Sequence, residues 1–550
     1  MSGTIKNSVI LCQCHGRITE RVRADEIRRF LEQRQPETEV TFADDLCEPK
    51  VFQQFAKGQK LHPWVVGACS QLEHTRHFWQ EAEALGCDLY SIRVADLLGE
   101  TSAPLSTTEI TQRVKLLLWA QIRRRSQFKG VSQDKLKLHF SRPESKISRR
   151  ELFTLALPRY EVIPFIEPAR CRGRQGCQLC VDTCPLEAIG VEEDKVIIDT
   201  TICNGCGACI AACTYGAIIY PTFSVEELDS EMEGLLLPKD VAPESRIIAA
   251  ICQRCLPAPA EDRATPLTFP PNVLPLKVPC LALVSPGLIL RAFDMGAQGF
   301  ALVSGKGKCH SGIDPRQLQQ NVQFVQGLIN CWDIEPERIK VFEVEEDNYL
   351  SAELELGKFA EGIARLEPTP LSTSEPASPP VEGWWLPVLI KEMANKLGNS
   401  SRGVVSAGRV PFGKVKLERS KCTGCSLCAL DCATGALTIS YSEEADSYQL
   451  LFKHDDCVAC GRCVEVCPEK CLHLERILEL DKIDSPPAVL FEDRIVRCYQ
   501  CGSPVAPKAM IEELQAKLYA AGESFHSQLE LCPDCRIKSQ FGLGRVAGIR

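Results

Sequence analysis

The sequence lacks any apolar run long enough to cross a bilayer. Its longest near-continuous apolar stretch, residues 278–290, is interrupted by Pro279, Ser285, Pro286 and Gly287, whereas a membrane helix needs about 18 or more apolar residues. The N-terminus has no basic region followed by an apolar core, so no signal peptide is expected and the chain reads as cytoplasmic. Long basic stretches are missing too. Charged residues make up 25% of the chain and the net charge is -9, a balance that argues against nucleic acid as a partner. The nine histidines fall in no HxxxH or HExxH spacing, so no hydrolytic metal site is indicated. What remains is a 550-residue chain, long enough for several domains of roughly 100–200 residues.

One residue type is abundant: there are 31 cysteines. In a small secreted domain they would suggest disulfides. Here the chain is large, lacks a signal and groups its cysteines in Cys-x-x-Cys sets, so metal ligation is the better reading. The chain reads Cys171-x5-Cys177-x2-Cys180-x3-Cys184-Pro185, then Cys203-x2-Cys206-x2-Cys209-x3-Cys213. Much later come Cys422-x2-Cys425-x2-Cys428-x3-Cys432 and Cys457-x2-Cys460-x2-Cys463-x3-Cys467-Pro468. This is the spacing of two-cluster bacterial ferredoxins, stated twice, and it predicts four 4Fe–4S clusters. A tight loop with a cysteine at every third residue wraps three corners of a cubane, and the fourth cysteine reaches the neighbouring cluster. The expected ligand sets are therefore Cys171, Cys177, Cys180 and Cys213; Cys203, Cys206, Cys209 and Cys184; Cys422, Cys425, Cys428 and Cys467; and Cys457, Cys460, Cys463 and Cys432. Two departures stand out. The first loop is enlarged and carries Arg172, Arg174 and Gly176, and Thr214 and Ala433 replace the proline that follows the fourth cysteine elsewhere.

Near the N-terminus, residues 8–11 read as a buried strand ending at Cys12-Gln13-Cys14-His15-Gly16, followed by an amphipathic helix over residues 20–33. Further strands are predicted at 39–42, before Cys47, at 63–67, before Cys69, and at 88–92, with a helix over 76–85 between the last two. Alternating strands and helices imply a parallel sheet, and ligands of such sheets sit beyond the carboxyl ends of the strands. Cys12, Cys14, Cys47 and Cys69 all fall at that edge, where they could converge on one cluster or be small core residues. The segment resembles the N-terminal domain of the A subunit of heterodisulfide reductase, from Cys12-Gln13-Cys14-His15 through Gly67-Ala68-Cys69-Ser70. The resemblance implies a fifth 4Fe–4S cluster. The remainder of that family's protein is a flavoprotein built on GxGxxG. The one GxGxxA match here, residues 542–547, sits at the chain's end without a supporting βαβ unit, so no FAD is expected.

Between the two ferredoxin-type stretches, strands are predicted at 246–252, 277–280, 299–304 and 338–344, with helices at 286–295 and 315–331. Cys252-x2-Cys255, Cys280 and Cys309 again gather at strand carboxyl ends. This stretch resembles the delta subunit of methyl-viologen-reducing hydrogenase, on Cys252-Gln253-Arg254-Cys255, Val278-Pro279-Cys280 and Cys309-His310. That resemblance implies one 2Fe–2S cluster and a docking role toward heterodisulfide reductase. The family's further cysteine is Ser304 here. The glycine-rich residues 304–308 lack GxxxxGK(S/T), which argues against phosphate binding. Near the C-terminus, Cys498-x2-Cys501-Gly502 and Cys532-Pro533-x-Cys535 flank a predicted helix at 509–521 and suit a closed tetrahedral zinc site, with rubredoxin-like iron as the alternative. Cys87, Cys331 and Cys471 are left over and read as packed thiols.

The expected fold is multidomain α/β plus α+β: two small parallel-sheet domains, two ferredoxin-like βαββαβ modules and a zinc-ribbon-like module. The boundaries read 1–100, a helical linker 101–160, 161–222, 245–350, a linker 351–412 centred on the Pro- and Ser-rich residues 367–382, 413–478 and 490–540. The basic helix at 111–125 reads as a solvated face or a docking surface for an acidic partner. Ser148-Arg149-Arg150-Glu151-Leu152-Phe153 mimics a twin-arginine signal but is internal and lacks an apolar continuation. Together these features predict an electron-transfer subunit between a hydrogenase or formate dehydrogenase donor and a heterodisulfide-reductase-like or ferredoxin-linked acceptor. The alternatives are a disulfide or thiol reductase acting at the N-terminal cluster, or a redox sensor, for which no effector module is visible.

Overall fold

The computed structural model describes residues 8–46, 48, 51–53, 64–68, 78–79, 81, 88, 90–128, 130, 136–139, 159–173, 177–193, 195–253, 267–306, 309, 315–345, 349–373, 375–378, 385–398, 403–442, 446–522 and 528–540. The chain divides into two units, Met1–Cys171 with Leu179–Asn399, and Arg172–Gln178 with Ser400–Arg550.

The first unit opens on β1 (Ser8–Cys12), five buried residues whose continuous apolar run suits a strand covered on both faces. Helix α1 (Ala24–Arg34) crosses over to β2 (Glu39–Ala43), and β3 (Trp64–Ala68) and β4 (Arg93–Asp96) complete a parallel sheet in the order β2-β1-β3-β4. The fourth strand therefore starts later than the predicted 88–92. The Asp88 carboxylate accepts the Tyr90 amide at 3.1 Å and its carbonyl accepts the Ser91 amide at 2.9 Å, so these residues form a turn before pairing begins at Arg93. The helix predicted at 76–85 falls mostly outside the described residues, as does the twin-arginine mimic.

Helix α2 (Thr107–Ser126) starts on a capping box between Ser106 and Glu109. Its expected solvated basic face is a correction. Arg113 is 1% exposed and Arg124 6%, and their partners come from the same chain. Helix α3 (Val225–Leu236), acidic and capped by Ser224 and Glu227, lies alongside. Arg124 donates to Glu231 at 2.6 Å, Gln121 donates to the other oxygen of Glu231 at 2.7 Å, and Arg93 pairs with Glu227. The helices cross where Gly234 meets Ala120, and a Cβ on Gly234 would lie 2.4 Å from the Ala120 Cα. Arg246 donates to the carbonyls of Leu235 and Leu236, both at 2.9 Å, satisfying groups that the end of α3 leaves open.

A second parallel sheet follows: β5 (Ile247–Cys252), β6 (Val273–Val278), β7 (Gly299–Gly305) and β8 (Ile339–Val344), in the order β6-β5-β7-β8. Helices α4 (Pro286–Asp294) and α5 (Pro315–Asn330) occupy their predicted places. The interval read as a linker is helical in part. Helix α6 (Tyr349–Ala364) buries Leu356, Phe359 and Ile363 against Ile247, Ala301 and Phe342 of this sheet, and α7 (Trp385–Lys396) packs on α4. Apolar residues at helical spacing thus belong to the sheet's core. Between α2 and α3, short antiparallel pairs join Phe165–Ile166 to Ile218–Ile219 and Ile189–Glu192 to Lys195–Ile198.

In the second unit, Lys414–Leu417 pairs antiparallel with Leu472–Glu475. An antiparallel four-stranded sheet runs Leu437–Ser442, Ser447–Phe452, Ala488–Arg497 and Pro504–Pro507. Its core combines Tyr448, Leu450, Phe452 and Phe491 with five cysteines, Cys428, Cys457, Cys463, Cys467 and Cys471. The helix Lys508–Ala520 follows. Among the described residues, no helix is long and apolar enough to cross a membrane.

Candidate metal centres

Three of the four cysteine runs carry their middle cysteine between two residues in the left-handed region. These flanks are Gly205 and Gly207 (φ 66° and 82°) around Cys206, Gly424 and Ser426 (68° and 65°) around Cys425, and Ala459 and Gly461 (52° and 84°) around Cys460. This backbone curls three successive side chains inward, and glycine takes it without a Cβ penalty. Ser426 and Ala459 accept the strain, and Ser426 is held by its hydroxyl's contacts with the Gly424 carbonyl (3.3 Å) and the Tyr448 hydroxyl (3.2 Å).

In the first unit a cavity is lined by Cys203, Cys206, Cys209 and Cys184, together with apolar residues such as Pro164, Ile189 and Ile198. Cys184 reaches into this cavity from the preceding run. The Cys184 sulfur accepts the Ala188 amide at 3.3 Å and the Cys203 sulfur the Gly205 amide at 3.4 Å. Burial, then the neighbouring sulfurs, pushes the Cys209 thiol well up. Cys213 lies close enough to Cys171 to feel its charge, and accepts the Ala217 amide at 3.3 Å. Cys177, whose amide donates to the Arg172 carbonyl at 3.3 Å, lies in the short segment grouped with the second unit; Arg174 and Gly176 lie outside the described residues.

The second unit has a matching cavity lined by Cys422, Cys425, Cys428 and Cys467, and also by Cys471. The last residue was missed as a site member, since nothing in the Cys-x-x-Cys spacing marks it. Burial pushes Cys428 up to about 12. Cys457, pushed up to about 12 chiefly by burial, also feels Cys463, Cys432 and Cys460, so the other predicted quartet comes together as well. Gly413 is needed beside it, since a Cβ there would sit 2.8 Å from the Cys457 sulfur. Four sulfurs around an apolar cavity, with amides aimed at some of them, fit a cubane iron–sulfur cluster in donor type and number.

In each parallel sheet the first strand ends on a cysteine, Cys12 in one and Cys252 in the other. Cys252 ends β5, Cys280 lies two residues beyond β6 and Cys309 four beyond β7. The Cys280 thiol is within hydrogen-bonding reach of Cys252 and Cys309, and these contacts, with burial, push it up. Cys255 lies outside the described residues, so the structure brings together three of that predicted quartet. Cys280 is also packed against Cys206 and Ala208, so the cysteines of this sheet adjoin the first unit's sulfur-lined cavity. In the first sheet, Cys12 ends β1 and is 1% exposed. Cys14 and His15 follow in left-handed conformations (φ 50° and 53°), and the His15 Nε2 lies 2.9 Å from an Asp45 carboxylate oxygen. Non-glycine residues held this way cluster at functional turns. Cys47 and Cys69 lie outside the described residues.

At the C-terminal end, the sulfurs of Cys498, Cys501, Cys532 and Cys535 all lie within 4.8 Å of one another. The left-handed Gly502 (φ 76°) closes the first knuckle, with its amide on the Cys498 carbonyl at 2.8 Å. Burial opposes, but amides from Cys532, Cys501 and Gln500 outweigh it and lower the Cys498 thiol to about 6. This donor set fits a closed tetrahedral metal site.

Residues 247–367 match the family model described as methyl-viologen-reducing hydrogenase, delta subunit; residues 421–471 match the 4Fe-4S dicluster domain and residues 196–219 the 4Fe-4S binding domain. The A subunit of the ferredoxin:CoB-CoM heterodisulfide reductase of Methanosarcina mazei is 27% identical over 178 residues, 32% of this chain and 22% of that protein. An iron–sulfur subunit of the F420-non-reducing hydrogenase vhc of Methanococcus voltae is 27% identical over 99 residues, 18% of this chain and 68% of that protein. A ferredoxin of Alicyclobacillus acidocaldarius is 36% identical over 64 residues, 12% of this chain and 81% of that protein. The chain spans about a fifth of the length of the heterodisulfide reductase protein it matches. The chain belongs to the 4Fe–4S ferredoxins through its two ferredoxin domains, and joins to them a domain of the methyl-viologen-reducing hydrogenase delta family and a stretch homologous to the A subunit of heterodisulfide reductase.

Proposed function

We propose that the chain is an iron–sulfur electron-transfer subunit that works between a hydrogenase- or formate dehydrogenase-type donor and a heterodisulfide-reductase-like or ferredoxin-linked acceptor. The observation that carries this reading is the packing of Cys280 against Cys206, which sets the cysteines of the delta-family sheet beside the cysteine-lined cavity of the first ferredoxin domain. Iron–sulfur clusters, when bound, supply reversible one-electron transfer, and close approach of their ligands is what such transfer requires. The chain's own residues provide the rest. Left-handed turns curl the cysteines inward, apolar side chains keep water out, and amides on the sulfurs tune the potentials.

On this reading Cys171, Cys177, Cys180 and Cys213; Cys184, Cys203, Cys206 and Cys209; Cys422, Cys425, Cys428 and Cys467; and Cys432, Cys457, Cys460 and Cys463 hold four cubanes. Cys12, Cys14, Cys47 and Cys69 hold a fifth, and Cys252, Cys255, Cys280 and Cys309 hold a 2Fe–2S cluster. Cys498, Cys501, Cys532 and Cys535 hold zinc. The delta-family sheet is the docking and entry domain, and the reducing cytoplasm is the compartment that suits so many thiols. Metal and sulfide analysis of anaerobically purified protein tests this: about 22 iron atoms and one zinc are expected. About 16 iron would leave only the ferredoxin clusters, and copurification from the source cell with no other oxidoreductase component would sink the partner assignment.

A further inference from the structure

All four cysteine runs end in the same turn. Three residues after the last cysteine stands a left-handed residue: Glu187 (φ 53°), Gly216 (58°), Gly435 (71°) and Lys470 (46°). The next residue is buried in every case, at 2% exposure or less, and it is Ala188, Ala217, Ala436 and Cys471. The turn itself therefore asks only for a methyl group. In the three alanine cases the last cysteine's sulfur accepts a backbone amide, from Ala188 (3.3 Å) to Cys184, from Ala217 (3.3 Å) to Cys213 and from Leu437 (3.4 Å) to Cys432. At the fourth turn the contact to the Cys467 sulfur is the Cys471 sulfur, 3.5 Å away. Cys471 also lines the cavity with Cys422, Cys425, Cys428 and Cys467, and is within hydrogen-bonding reach of Cys422. Its backbone is fixed by the Glu418 amide on its carbonyl at 2.9 Å and by the Leu417–Leu472 strand pairing that follows.

We infer that Cys471 is a fifth sulfur of this site: a protonated thiol that donates its S–H to the Cys467 sulfur, in the place where the other three runs use a backbone amide. Cys471 is then a positioning residue that acts through Cys467 rather than a metal ligand. Hydrogen bonds to ligand sulfurs stabilise the more negative, reduced state, so this donor raises the potential of the centre it serves. A side-chain donor can be removed with the backbone of the turn left in place, so the contact to the Cys467 sulfur is open to mutation.

The inference rests on the proposal that Cys422, Cys425, Cys428 and Cys467 hold a cubane, and the two can fail separately. The test compares anaerobically purified full-length protein with its Cys471→Ala and Cys471→Ser variants by iron and sulfide content and by EPR-monitored redox titration. Alanine already fills this place in the three sister turns, so Cys471→Ala is expected to keep its full iron content. One cubane signal should move to more negative potential, and Cys471→Ser, which restores a donor, should return it toward the parent value. Loss of about four iron atoms in Cys471→Ala would overturn the inference by making Cys471 a ligand. Unchanged potentials in all three proteins would overturn it by leaving Cys471 a packed thiol. If the parent protein held no cubane in this domain, the underlying site assignment would fall first.

Discussion

The two cysteine-lined cavities, one in each unit, follow the same local rule and differ in what surrounds them. Each takes three sulfurs from one tight run and a fourth from its neighbour. Around Cys206 the left-handed positions are both glycine, and a Cβ on Gly207 would meet Leu283 at 2.8 Å, because a second domain is packed there. Around Cys425 one of the two positions is Ser426, whose side chain has room to bond Tyr448. The ligand geometry is thus a property of the run, whereas the tolerance to side chains is a property of the neighbours. One cavity faces the cysteines of another domain, and the other contains an extra thiol of its own.

The largest expected effect probes that difference directly. Cys206→Ser and Cys425→Ser should each lose about four iron atoms. Only Cys206→Ser should also alter the signal of the 2Fe–2S cluster proposed for the delta-family sheet, because Cys206 alone of the two packs against Cys280. Equal disturbance of that signal by both variants would break the comparison.

Next comes the framework. The first unit holds its helices together with buried ion pairs, and Arg124→Ala would strand the carboxylate of Glu231, which is 3% exposed. A loss of about 3–5 kcal/mol in denaturant-measured stability is expected. The second unit's strand pair Lys416–Glu475 is exposed, and Lys416→Ala should cost at most about 1 kcal/mol. The close helix crossing gives an intermediate case: Gly234→Ala forces a methyl into the Ala120 backbone and should cost about 1–3 kcal/mol.

The smallest effect sharpens the rule about left-handed flanks. Gly207→Ser adds both backbone strain and a clash with Leu283, and should cost about 1–3 kcal/mol. The reverse change, Ser426→Gly, relieves strain but gives up the hydroxyl's contacts, and should shift stability by less than about 1 kcal/mol in either direction. Comparable costs for both, read from thermal or denaturant unfolding, would show that the neighbours do not decide the difference.

Much of the site was legible because metal ligation ties function to local spacing. Cys203, Cys206 and Cys209 fall at every third residue and line one cavity, and Gly205 and Gly207 announce the curl that brings them there. The strands of both parallel sheets were legible for a related reason, being short apolar runs with cysteines at their ends. The edge at 88–92 was misplaced because Tyr90 and Ile92 are as apolar as a strand, while the Asp88 turn that displaces pairing to Arg93 is a matter of hydrogen bonds. Helix α6 was absorbed into an expected linker because its Leu356, Phe359 and Ile363 stripe has meaning only against the sheet it covers.

The sequence by itself determined the four cysteine runs, the parallel-sheet class and the C-terminal Cys quartet, since each depends on residue type at fixed short spacing. Only the tertiary structure decided that the basic helix α2 answers to the acidic helix α3, that Cys280 lies against Cys206, and that Cys471 belongs inside a cavity. Those facts join residues far apart in the chain. They are set by which buried surfaces and charges find partners on folding, a quantity no local pattern encodes.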